Sequence, residues 1–90
     1  MLDERQYALK NDLNRLLTNG KVKVHFVKKD GTLRIMNCTK SPILIPLNQQ
    51  PTYPLKRKVP EHIVMAFDVD LGEWRSFELD SVIVYGTENE

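Results

Sequence analysis

Leu9, Leu13, Leu16 and Leu17 recur at i, i+4, i+7 and i+8, the spacing of one helix face, and Leu2 and Tyr7 extend the stripe. This pattern predicts a helix from Leu2 to about Thr18. Asp3 and Glu4 stand at its positive end, and Asn19-Gly20 is its stop, Gly20 being expected in the left-handed conformation. So short a helix needs tertiary packing, and its leucines are expected to close one end or face of a sheet. From Lys21 the period falls to two. KVKVHFVKKDGTLRIMNCT reads as two extended runs joined at Asp30-Gly31, a dipeptide suited to the positive φ angles of a two-residue type I′ turn. Pairing outward from that turn sets Val27 opposite Arg34, His25 opposite Met36 and Lys23 opposite Cys38. Val22, Val24, Phe26, Leu33 and Ile35 then form an apolar face that must be buried.

Lys40 to Pro60 is the least regular stretch and holds all five prolines. Proline lacks the ladder donor, so residues 47–60 cannot form a central strand. Ile43-Leu44-Ile45 is expected as a short strand or a buried anchor, and the rest as a long excursion of the kind that carries function. His62–Phe67 reads as a third strand and Glu73–Leu79 as a fourth, joined through a turn at Asp68–Gly72. Asp80-Ser81 predicts a tight turn, often one turn of 3₁₀ helix, before a fifth strand over Val82–Tyr85, with order ending near Gly86 and an acidic tail at 87–90. A helix followed by about five short antiparallel strands predicts one domain over 1–90, mainly β: a small barrel at 21–86 carrying a Pro-rich loop at 40–60, with the helix in residues 1–20.

Composition narrows the setting. Ninety residues support one modest core, and no apolar run approaches the ~18 residues of a membrane span. MLDERQYALK is charged where a secretion signal is apolar, and the single cysteine, Cys38, excludes an internal disulfide framework. Both predict the cytoplasm. Net charge is only +1, but residues 21–58 carry +8 and residues 61–90 carry −7. Either a two-signed surface or strands that neutralise each other on folding would result.

Two segments resemble a known family. KKDGTLRIMNCT followed by Ile45-Pro46, and later FDVDLGEWRSFELDSVI, are similar to the small WYL-like proteins of tailed bacteriophages, which are grouped with Sm-like, SH3-type barrels. The pattern falls on Asp30, Gly31, Thr32, Arg34, Met36, Cys38, Thr39, Pro46, Phe67, Asp68, Trp74, Arg75, Ser76 and Phe77. The resemblance covers roughly residues 22 to 84, leaving the helix outside it. It implies a five-stranded antiparallel SH3/Sm-like barrel in a phage setting, hence host cytoplasm, and no particular activity.

The chemistry-bearing residues make an enzyme the weakest class. Cys38, His25 and Asp68 or Asp80 are the residue types of a thiol triad, but nothing places a base or oxyanion donor near Cys38, which reads as a buried structural cysteine. His25, His62 and Cys38 lack the spacing of a zinc site. There is no Gly-rich phosphate loop, and Asp68-Val69-Asp70 reads as a turn. No metal or cofactor is expected.

Nucleic-acid binding has more support. Lys23, Lys28, Lys29 and Arg34 on the hairpin, and Lys56-Arg57-Lys58 beside Tyr53, offer cations for phosphates and a ring for a base; Arg75, next to Trp74, offers another such pair. Against this, Trp74 suits the core and Arg75 suits an acidic neighbour. The leading expectation is a non-catalytic phage accessory protein that binds RNA or single-stranded nucleic acid. The alternative is a protein-interaction module that inhibits a host enzyme or defence factor, such as a ribonuclease, through edge strands or the Pro-rich loop. Homo-oligomers through the same edges are compatible with either.

Overall fold

The computed structural model describes residues 2–50 and 59–87. Helix α1 (Glu4–Asn19) leads into β1 (Val22–Val27) and β2 (Leu33–Thr39), then a 3₁₀ turn (Leu47–Gln49), β3 (Ile63–Asp68), β4 (Glu73–Glu78), a second 3₁₀ turn (Leu79–Ser81) and β5 (Val82–Thr87). The strands form one antiparallel sheet in the order β4-β3-β2-β1-β5. The predicted helix and five strands are present within a residue or two, except that β5 continues through Gly86 to Thr87.

The helix starts as its sequence requires. Asp3 accepts the Gln6 N–H at 2.8 Å while the Gln6 side chain accepts the Asp3 N–H at 2.9 Å, a reciprocal cap that satisfies two orphan donors. Leu2, Leu13 and Leu17 are buried and Leu9 and Leu16 pack against them, whereas Tyr7 stays on the surface. The helix end differs from expectation: Gly20 is extended, at φ 168°, not left-handed. The last carbonyls need no such glycine because β2 reaches them. The Leu17 carbonyl accepts the Lys40 N–H at 2.9 Å and the Thr39 hydroxyl at 3.1 Å, and that hydroxyl also lies 2.8 Å from the Gly20 carbonyl.

The hairpin corrects the predicted register. Val27 pairs with Leu33, His25 with Ile35, Lys23 with Asn37 and Val22 with Cys38, one residue away from the type I′ expectation. The loop holds three residues, not two. Gly31 N–H bonds the Lys28 carbonyl at 2.9 Å, Lys28 N–H bonds the Thr32 carbonyl at 2.7 Å, and only Gly31 takes positive φ, at 92°. A type I turn closed by a left-handed glycine accounts for this geometry, and Asp30 reinforces it by accepting from the Thr32 N–H and hydroxyl. Those bonds hold the Asp30 carboxyl below its ordinary range, the hydroxyl contributing most.

One residue of slip exchanges the faces of β2. Met36 and Cys38 join Val22, Val24 and Phe26 inside, and Leu33 and Ile35, expected in the core, are 56% and 53% exposed. They share the outer face with His25, Val27 and Asn37. The core is completed by Val64, Ala66, Phe77 and Leu79, with Phe26 and Phe77 stacked at 5.1 Å. Ile43-Leu44-Ile45 forms a turn, not a strand; Ile45 is its buried anchor and Ile43 is exposed.

Candidate nucleic-acid interface

β2 and β3 share only two residue pairs, Cys38–Asp68 and Thr39–Phe67. The β3–β4 hairpin is therefore slid along β2, and β4 brings Phe77 back across Phe26. A cleft of about 500 Å³ opens beside this stack. Lys28, Lys29 and Arg34 of the first hairpin and Arg75 of β4 line it, with Glu78 and Asp80 also among its walls. The fold thus gathers Arg75 with the hairpin cations, a grouping that forty residues of intervening sequence do not announce.

The cations are not equivalent. Arg34 points inward and forms a 2.9 Å ion pair with Asp68, whose side chain is 3% exposed. Arg75 pairs with Glu73 at 2.9 Å on the surface. The exposed ammonium groups of Lys28 and Lys29 make no ion pair or side-chain hydrogen bond among the described residues. Lys23 lies on the other face of the sheet, opposite Asn37 and Gly86, and does not reach the cleft. Tyr53, Lys56, Arg57 and Lys58 lie outside the described residues.

Aromatic stacking has less to work with than expected. Phe26 and Phe77 are buried, and Trp74 is half-buried, edge-on to Phe67 and donating its Nε1–H to the Gln49 carbonyl at 2.7 Å. Trp74 thus ties β4 to the start of the Pro-rich excursion, and no aromatic among the described residues offers a free face in the cleft.

Asp68 is the residue that sequence reasoning undervalued. One carboxylate oxygen accepts the Asp70 and Leu71 N–H groups, both at 3.0 Å, and the other holds Arg34. It shapes the β3–β4 turn and neutralises the one charge that the register shift turns inward. The sequence reading of Asp68-Val69-Asp70 as a turn is correct, but the partner is 34 residues away. Asn37 extends the cluster, its side-chain amide donating to Asp70 at 2.9 Å, while its side-chain oxygen Oδ1 is buried without a partner in the described residues.

The thiol is poorly placed for chemistry. Cys38 faces the core opposite Val22, donating to the Val22 carbonyl at 3.6 Å, and His25 lies on the outer face. Burial, then the negative charge of Asp68, pushes the thiol pKa up to about 12, with Lys40 pulling weakly the other way. Among the described residues no three of His, Cys, Asp or Glu gather as a metal site, and no helix is long and apolar enough to cross a membrane.

A helix closing a five-stranded antiparallel sheet, with a long excursion between β2 and β3, defines a small mainly-β protein of the Sm and SH3 kind. The chain belongs to the WYL_2 family, described as an Sm-like SH3 β-barrel fold, whose model matches residues 10–83. That match takes in the half of α1 that carries Leu13 and Leu17, so the helix is not wholly outside the shared region as its sequence suggested. The chain is also 35% identical over 81 residues, 89% of its length and 79% of the relative's, to an uncharacterized 11.5 kDa protein of the Gp31-cd intergenic region of Enterobacteria phage T4. No solved structure matches it. It is a phage-associated small Sm-like barrel protein.

Proposed function

We propose that this protein is a non-catalytic phage accessory factor, acting in the host cytoplasm, that binds RNA or single-stranded nucleic acid through its phosphate backbone. The carrying observation is that Lys28, Lys29, Arg34 and Arg75 line one cleft of about 500 Å³. Lys28 and Lys29 supply the free charge, and the two arginines keep guanidinium donors spare beyond their single carboxylate contacts. Glu78 and Asp80 would repel a phosphate chain from their part of the cleft and hold it to the hairpin side. With no exposed ring in the cleft among the described residues, recognition would rest on phosphates and be largely indifferent to sequence. A non-catalytic role is supported by the unreactive setting of Cys38 and its separation from His25.

The test is anisotropy with a labelled single-stranded RNA of about 20 nucleotides and its DNA counterpart across a salt series. Three or four phosphate contacts predict a log–log slope of about −2 to −3. Reversing Lys28 and Lys29 to Glu removes most of the binding while leaving the fold intact, because both side chains are exposed. Binding that ignores salt, or survives the reversal, overturns the reading. The protein-interaction alternative is favoured by a different observation, the apolar outer face of β1, β2 and β5, where Val27, Leu33, Ile35, Ile83 and Val84 are each more than a third exposed.

A further inference from the structure

β2 is laddered to β1 along six residue pairs and to β3 along two. Antiparallel pairing alternates the direction of backbone groups. Lys28 N–H bonds the Thr32 carbonyl at the hairpin mouth, so the even residues Arg34, Met36 and Cys38 also direct their backbone toward β1. Leu33, Ile35 and Asn37 direct theirs away. The Asn37 carbonyl is taken by the Val69 N–H at 3.0 Å. The N–H and C=O groups of Leu33 and Ile35 find no partner among the described residues, and they form an open strand edge within the sheet order, distinct from the outer edges of β4 and β5.

This edge lies on a groove of about 450 Å³, lined by Leu33 and Ile35, by Asp70 and Leu71 of the β3–β4 turn, and by Lys28. Leu33, Ile35 and Leu71 are each more than half exposed. We infer that this groove takes an extended segment of another protein as an added strand, hydrogen-bonded to Leu33 and Ile35, with alternate apolar side chains on Leu33, Ile35 and Leu71 and an acidic residue at the Lys28 end. The chemistry selects that occupant. A nucleic acid has no alternating amide and carbonyl groups to match the edge, and beside Lys28 and the Asp68-bound Arg34 it would meet three apolar side chains and Asp70. A second copy paired antiparallel through both free residues would set Arg34 opposite Arg34, each already held by its own Asp68, and so would add no complementary charge across the edge. Lys28, which makes no ion pair among the described residues, complements a carboxylate, with Lys29 beside it. Backbone pairing then supplies affinity and the alternate side chains supply selectivity.

The test uses the full chain, labelled for amide NMR, titrated with a capped hexapeptide of alternating Val and Thr bearing Asp at one end, and with its Lys counterpart. Leu33 and Ile35 amides are expected to shift and to gain at least about tenfold exchange protection. The Asp peptide should bind about two- to fivefold tighter than the Lys peptide. Ile35→Pro deletes a donor that faces away from β1, so it should abolish peptide binding while keeping the fold. Ile35→Lys, which keeps the donor and adds a charge, serves the same purpose if the proline variant unfolds. Peptide binding that leaves the two amides unmoved, or persists in both variants, overturns the inference. So do concentration-dependent shifts of the same amides without peptide, which would make the edge a self-pairing surface.

Discussion

The two ends of β2 live in different environments. At its C-terminal end Cys38 is paired on both sides and Thr39 with β3, both are fully buried, and Thr39 is bonded to the end of α1. At its N-terminal end Leu33 to Ile35 is paired on one side only, and its outward side chains meet water. One strand therefore serves as a structural post at one end and as an exposed ledge at the other. The change falls at Asp68, where the β3–β4 hairpin turns away. Stability should accordingly concentrate at the post, and recognition at the ledge.

Neighbouring residues on opposite faces give the sharpest contrast. Met36→Ala should cost about 2–5 kcal/mol through lost burial and a residual cavity, a large share of the total for a domain of this size. Ile35→Ala should stay within about 0.5 kcal/mol, as expected for a surface change. Urea unfolding of the two variants checks both; a reversal, with Ile35→Ala the costlier change, would mean that the register is the one expected from a two-residue turn. Next in size is Thr39→Val, which preserves shape but orphans the Gly20 carbonyl and the Ser41 N–H that the Thr39 oxygen accepts at 3.0 Å, and leaves the Leu17 carbonyl with the Lys40 N–H alone. Its expected loss is about 1–3 kcal/mol, read in the same assay, with faster amide exchange in the last turn of α1.

The smallest effect concerns the helix contact beside the post. Tyr85 donates to Asp12 at 2.6 Å. That bond, followed by the bond from Arg15, holds the Asp12 carboxyl below 3.8, and the same bond raises the Tyr85 phenol above 10.0. A lowered carboxyl stabilises the fold above its unfolded value, and the gain fades as pH falls through the lower folded value. A raised phenol stabilises below its unfolded value, and the gain is lost as pH rises through the higher folded one. Tyr85→Phe should therefore lower Tm by a few degrees at most near neutrality and converge with the parent at both extremes. A constant offset across pH would mean that the ring's packing matters and the bond does not.

Much of the fold was legible in local chemistry. The leucine stripe and the Asp3–Gln6 cap specify α1, and the glycines at 31 and 72, with φ of 92° and 72°, mark the two hairpin turns. The register was not legible, because Asp30-Gly31 suits both a two- and a three-residue loop. Taken alone, Leu33 and Ile35 are better core residues than Arg34, Met36 and Cys38. The observed choice works only because Asp68 comes to meet Arg34 and because Phe77 and the helix leucines cover Met36 and Cys38. These partners are remote in sequence, so no window around the hairpin contains the answer. The candidate site followed suit: Lys28, Lys29 and Arg34 were visible as a basic hairpin, whereas their meeting with Arg75, the internal use of Arg34 and the diversion of Trp74 to Gln49 are properties of the assembled sheet.

The topology of β1 also orders events in time. Its pairing with β2 closes a three-residue loop, an event of microseconds for a hairpin. Its pairing with β5 joins residues about sixty positions apart and must meet the larger chain entropy of a long closure first. The irregularity between His25 and Phe26, where β5 inserts Ile83 between the partners Val84 and Val82, sits on that late-forming seam. Barrel closure, rather than hairpin formation, is thus the expected slow step of folding, and until it occurs both edges of the young hairpin are available to strangers.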